Sequence, residues 1–141
     1  MTGLCFVVDG EPQGKARPRV VRGHAYTPEK TAAYESRICA AYRQAEPGRQ
    51  PYAMGVPLSL WITAYYQIPQ STTKTKRALM KAGQLRPTKK PDTDNIGKVV
   101  ADALNGIAYY DDAQIVTMCV RKMYGTVPRL EIEIDEAEPR R

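Results

Sequence analysis

Histidine and cysteine are nearly absent from this chain: of 141 residues, one is His24 and three are Cys5, Cys39 and Cys119. A histidine-based triad or a His-rich metal site would rest on that one imidazole, which sits beside Gly23 in a segment that reads as a solvated turn. An odd number of widely spaced cysteines, without a CxxC pair, builds neither a disulfide framework nor a thiolate zinc site; the thiols are expected to be reduced and buried. No run approaches the roughly 18 apolar residues of a membrane span. The apolar Leu4–Val8 stretch lacks a basic segment before it, so a cytoplasmic protein is expected. Acid is scarce too: no Asp or Glu lies between Glu46 and Asp92, where eight Lys or Arg residues occur, seven of them within Lys74–Lys90.

What is present is a two-sided charge distribution. Residues 1–90 carry 15 basic and 5 acidic residues, whereas residues 91–141 carry 6 and 10, and together they give a net charge of +6. A polyanion is the natural partner of the first part. The length suits one domain, and 43% hydrophobic with 26% charged residues excludes a mostly disordered chain.

Periodicity places the elements. Gly3–Asp9 reads as a short strand ending at Asp9-Gly10, and Gly10–Arg22, interrupted by Pro12 and Pro18, as a basic edge or arm. A helix opening at Thr27-Pro28-Glu29 turns Tyr34, Ile38 and Tyr42 inward. Val56–Gln67 alternates as a strand, Lys74–Lys81 fits a short basic helix in a mobile flap, and Ile96, Val99, Val100, Ala103 and Leu104 mark a helix from Asn95 to a stop at Asn105-Gly106. Two strands, Gln114–Met123 and Arg129–Ile134, read as a closing antiparallel hairpin around Gly125. The expected fold class is α+β: a mixed β-sheet covered by helices in one small domain, with dimerisation plausible for a core of this size.

Carboxylates then crowd into Asp92, Asp94, Asp102, Asp111 and Asp112. In an extended segment, Asp92 and Asp94 project to the same side. A helix folding back would bring Asp111 or Asp112 beside them. Such oxygen ligands, without His or Cys, select Mg²⁺ or Mn²⁺. Lys98, four residues after Asp94, is placed to stabilise charge developing on a phosphate. Each residue also has an ordinary structural use: Asp94 as a helix cap, Lys98 in an i,i+4 ion pair, and Asp111-Asp112 as a solvated turn. The acid-free stretch beside the cluster favours function.

The segments Lys90-Pro-Asp-Thr-Asp-Asn-Ile-Gly-Lys98, Asp102-Ala-Leu-Asn-Gly106 and Tyr110-Asp-Asp-Ala-Gln114 together resemble the RusA-type Holliday junction resolvases. The resemblance implies a small α+β homodimer that binds four-way DNA junctions and cuts two opposing strands symmetrically with Mg²⁺ or Mn²⁺. It places the metal-binding and catalytic aspartates on Asp92, Asp94 and Asp112, with Asp111 the alternative to Asp112, and the motif lysine on Lys98. Asn95 and Gln114 take supporting roles. Lys15, Arg17 and Arg19 resemble the family's basic N-terminal segment. With Lys74, Lys76, Arg77, Lys81, Arg86, Lys89 and Lys90 they are expected to grip DNA phosphates. Trp61, Tyr65, Tyr109 and Tyr110 either stack on unpaired bases or pack in the core. The rival expectations are a non-catalytic junction-binding module and a metal-dependent nuclease acting on other branched DNA or on structured RNA.

Overall fold

A computed structural model of the chain describes residues 3–16, 19–26 and 28–139. The strand with the clearest alternation, β4 (Leu58–Gln67), organises the sheet. Leu58, Leu60, Ile62, Ala64 and Tyr66 are buried on one face, while Trp61 and Gln67 are exposed on the other. Its neighbours are β5 (Ile115–Gly125), which runs parallel to it, and β6 (Arg129–Glu136), which runs antiparallel; β1 (Leu4–Asp9) pairs antiparallel with β6 at the far edge. The order is therefore β1-β6-β4-β5, a mixed sheet. Parallel pairing of β4 with β5 requires a long crossover, which two helices supply: α2 (Lys74–Lys81) and α3 (Thr93–Leu104).

The closing hairpin expected from sequence does not form. β5 and β6 flank β4 rather than pairing, and residues 126–128 cross the end of β4. Two hydrogen bonds tie this crossing down: Ile68 N donates to Gly125 O (3.2 Å), and Gln67 Nε2 donates to Thr126 O (3.2 Å). A three-residue link that follows Gly125 and ends in Pro128 looks locally like a hairpin turn, and nothing near it in sequence announces that a third strand slots between.

Helix α1 (Glu29–Ala45) and α3 cover one face of the sheet. Tyr34, Ile38 and Tyr42 of α1, with Ile96, Val99, Val100 and Leu104 of α3, close the core over Phe6, Leu60, Ile62 and Ile132. Burial of each such side chain stabilises by about 1.5–3 kcal/mol relative to exposure. The opposite face presents Cys5, Val7, Trp61 and Glu133 to solvent. Helices α1 and α3 thus share one face of the sheet, and Cys5 is exposed, Cys39 and Cys119 half-buried, rather than all three buried. The basic N-terminal segment is not a plain arm: β2 (Arg19–Val21) and β3 (His24–Tyr26) form a small antiparallel hairpin, with exposed His24 in its second strand. Thr27, the expected start of α1, lies outside the described residues, and the helix opens at Glu29 after Pro28.

Among the described residues no helix is long and apolar enough to cross a membrane.

Candidate active site

Helix α3 positions both groups of carboxylates, one at each end. Asp92 is its N-cap: the side chain accepts a hydrogen bond from Asn95 N (Oδ1, 3.0 Å), satisfying one of the helix's orphan donors. Asp94 lies in the first turn, where its charge complements the helix dipole. This corrects two expectations, since the pair is not on an extended segment and the cap is Asp92 rather than Asp94. The approach to the helix is held by Tyr66, whose buried hydroxyl donates to Pro91 O (2.8 Å) across a cis Lys90–Pro91 peptide. Burial pushes that hydroxyl's pKa up to about 12, so it stays a donor throughout the physiological range.

At the other end, Asp111 caps a single 3₁₀ turn (Asp112–Gln114) by accepting from Ala113 N at 3.1 Å. Buried Gln114 organises this turn. Its Oε1 accepts from Tyr110 N (3.0 Å) and Asp111 N (3.1 Å), while its Nε2 donates to Ala53 O (2.9 Å) and Val56 O (3.1 Å). Asn105, at the end of α3, accepts from Asp112 N through Oδ1 (3.2 Å). Asn105 was legible only as a helix stop, yet its side chain is what holds Asp112 against α3. The Asp112 carboxyl is raised above the ordinary carboxylate range by burial, then by the neighbouring carboxylates of Asp111 and Asp102.

The intervening helix sets the distance between the groups. From Asp92 to Asn105 the rise is about 20 Å at 1.5 Å per residue. Among the described residues no three Asp, Glu, His or Cys side chains of one chain converge on a common point. The convergence of Asp112 with Asp92 and Asp94 expected from sequence is therefore not found within one chain. Donor chemistry fits a hard divalent cation, because the groups are oxygen ligands and Asp112 is crowded by like charge that a cation relieves. Ligand number in one chain does not fit. Between the ends runs an exposed stripe, Asp94, Lys98 and Asn105, and Lys98 forms no ion pair among the described residues.

The basic residues divide into free and engaged. Lys74, Lys76 and Lys81 are exposed on α2, which Thr73 caps and which contains no acid. Arg77 donates to Pro69 O (3.3 Å) in the loop after β4, and Arg86 Nε donates to Lys122 O (2.9 Å), which fastens the expected flap to β5. Lys90 is exposed, and Lys89 stands over the Tyr66 ring, where Lys122 joins it. Lys122, on a β-strand whose pattern reads as ordinary alternation, carried no sign of this role. Lys15 is the exception among the expected phosphate contacts: its ammonium pairs with Glu35 (2.9 Å) and Asp102 (3.2 Å) and ties the N-terminal segment to α1 and α3. Burial alone would lower its pKa, but the two carboxylates raise it above its ordinary value. Arg17 lies outside the described residues, as does the side chain of Arg19. Of the aromatics, Tyr109 is core, with its hydroxyl on Ala101 O (2.6 Å), Arg129 covers the Tyr65 ring, and Trp61 and Tyr110 are exposed.

Comparison with known proteins agrees with the motifs. The family profile of endodeoxyribonuclease RusA matches residues 9–135. The uncharacterized protein YqaN of Bacillus subtilis strain 168 is 38% identical over 142 residues, covering 96% of this chain and 98% of its own. A crossover junction endodeoxyribonuclease rusA of Lactococcus phage r1t is 34% identical over 89 residues, 62% of this chain and 61% of that protein.

Proposed function

The chain belongs to the endodeoxyribonuclease RusA family, and from that premise we propose that it hydrolyses phosphodiester bonds at four-way DNA junctions, nicking two opposing strands as a Mg²⁺-dependent homodimer. The observation that carries this reading is the α3 assembly. Asp92 and Asp94 at one end, Asp111 and Asp112 at the other, and Lys98 between them, without an ion pair among the described residues, are solvent-accessible, and the acid-free helix α2 adds exposed lysines. The phage relative named as a crossover junction enzyme supports the choice of substrate.

Asp92 and Asp94 at one end of α3 and Asp112 at the other would contribute carboxylate ligands for Mg²⁺, for which Mn²⁺ can substitute, though they do not meet within one chain; the ion would supply charge neutralisation at the phosphate and activation of water. The chain's own residues do the rest. Lys98 donates to a phosphate oxygen as negative charge builds there. Lys74, Lys76, Lys81, Lys89 and Lys90 hold the DNA backbone, with Arg77 and Arg86 adding donors beyond those spent on carbonyls, and this grip sets position rather than sequence. The nick leaves a 5′-phosphate and a 3′-hydroxyl, and products of this kind belong to recombination and repair in the bacterial cytoplasm, whether the chain is encoded by the bacterium or by a phage.

The rival reading is a non-catalytic binding module. It draws on Asp92 and Asp111 already serving as caps. Substrate competition decides between them: labelled four-way junction, linear duplex, flap DNA and structured RNA are offered together with Mg²⁺ or with EDTA. Cutting of the junction alone, and with Mg²⁺ alone, is expected. Tight junction binding with no cutting in either buffer contradicts catalysis, and preferential cutting of duplex, flap or RNA contradicts the substrate.

A further inference from the structure

We propose that Lys122 and Lys89, gathered over the ring of Tyr66, form a second phosphate site, which holds the DNA phosphate next to the one being cut. The inference rests on the functional reading above and adds Lys122 and Tyr66, neither of which the sequence motifs mark, to the surface that meets DNA. Three observations carry it.

First, two ammonium groups share one ring. Lys122 Nζ stands 5.3 Å and Lys89 Nζ 5.7 Å from the centre of the Tyr66 ring, within the range of cation–π attraction. Lys122 pairs with Ala64 across β5 and β4, so it leaves the sheet on the same face as Tyr66, two residues further along β4. Hydrogen bonds fix the meeting: Lys122 Nζ donates to Lys89 O, and Arg86 Nε donates to Lys122 O. Three cations from two segments are thereby brought to one end of the sheet.

Second, no carboxylate answers this charge. Among the described residues neither ammonium forms an ion pair. The carboxylates that reach the Tyr66 hydroxyl electrostatically are Glu11 and Asp92, and both are engaged with backbone donors, Glu11 with Gln67 N (3.3 Å) and Asp92 with Asn95 N (3.0 Å). An ammonium has three hydrogens, and Lys122 spends one on Lys89 O, which leaves two for the oxygens of an anion. Like charges this close disfavour each other, and an anion between them relieves the repulsion.

Third, the pair is fixed relative to Asp92. The Tyr66 hydroxyl donates to Pro91 O (2.8 Å), one residue before Asp92, so the ring under the two ammoniums also sets the start of α3. The site is adjacent to Asp92 without belonging to the carboxylate group, which is the place of a phosphate flanking the scissile one on the same strand. A phosphate diester offers one negative charge and two free oxygens to the two lysines. Once fixed there, it determines which bond of the strand lies at Asp92.

The test is a binding cycle in EDTA on four-way junctions in which one phosphate at a time near the crossover is replaced by an uncharged methylphosphonate. At one position the replacement should weaken the parent about tenfold, the worth of a hydrogen bond to a charged group, yet weaken Lys122→Gln and Lys89→Gln by less than about twofold, because the contact is already lost. At the other positions all three proteins should lose affinity alike, and Lys122→Arg should behave as the parent does. The double variant Lys89→Gln/Lys122→Gln should lower the slope of log affinity against log salt by about 1, the share of one phosphate. Lys89→Gln keeps the test valid where Lys122→Gln disturbs the fold, since the Lys89 side chain makes only the ring contact. Equal losses at every phosphate, or an unchanged slope in the double variant, overturn the site and leave Lys122 as a fastening between β5 and the flap. A fall in slope of about 2 means two separate phosphates and overturns the shared site. Cutting in Mg²⁺ is read separately on the parent. Coupling at one phosphate in a protein that cuts no junction supports the site and contradicts the functional reading, whereas cutting without coupling overturns the site alone.

Discussion

Asp92 carries two loads that a pair of substitutions can separate. Its Oδ1 accepts from Asn95 N at 3.0 Å and caps α3, and under the proposed function its charge belongs to the catalytic group. Asparagine caps a helix as well as aspartate does, so Asp92→Asn keeps the hydrogen bond and loses only the favourable interaction of a negative charge with the helix N-terminus. At an exposed position this is worth about 0.3 kcal/mol. Alanine loses the cap as well, at about 1 kcal/mol. For a domain of this size 1 kcal/mol corresponds to about 4 °C in Tm. Calorimetry without divalent metal should therefore place Asp92→Asn within about 1 °C of the parent and Asp92→Ala about 4 °C below it. Junction cleavage should fall in both by at least about 100-fold, the scale on which one preorganised electrostatic group acts. Asp92→Asn cutting at the parent rate would refute the catalytic role and leave Asp92 as a cap. Equal Tm values for Asp92→Ala and the parent would refute the cap.

Three further outcomes follow from the same geometry. Gln114→Ala strands two backbone N–H groups and two carbonyls, and urea titration should show a loss of about 2–4 kcal/mol together with weakened cleavage. The folded Asp112 carboxyl binds its proton more tightly than in the unfolded chain, so its ionisation lowers stability as pH climbs through the window just above the ordinary carboxylate pKa. Calorimetry of the metal-free protein should thus place the Tm of Asp112→Asn above that of the parent at pH 7 and level with it at pH 3. Replacing Lys74, Lys76 and Lys81 with Gln should reduce the slope of log affinity for the junction against log salt by about 2 to 3, with no change in cleavage position.

Local chemistry was readable where one segment decides its own structure. The apolar spacing of α3, the alternation of β4 and the basic character of α2 all appear as the pattern indicated. Pairing partners were not readable. β6 alternates in the same way whether it lies beside β5 or beside β4, because alternation reports which face is buried and not which strand is adjacent. The site divides along the same line. Asp92, Asp94, Lys98 and the Asp111-Asp112 pair are marked by sequence clustering, but their separation by the length of α3 depends on that helix running straight from cap to stop. Lys15 shows the limit of charge reading, since a lysine in a basic segment is indistinguishable from one that Glu35 and Asp102 hold inside the fold. Gln114 was marked for a supporting role by the motif alone, and Asn105 only as a helix stop, because a side-chain amide does not signal which backbone groups it serves until they are in place.

Cleavage of a supercoiled plasmid that extrudes a cruciform tests the central claim most directly. In the presence of Mg²⁺, two opposing nicks made within the lifetime of one protein–DNA complex release a linear product with 5′-phosphate ends. The account predicts linear product from the cruciform plasmid and an untouched control plasmid without the inverted repeat. Nicked circles alone, or equal cutting of both plasmids, would contradict it.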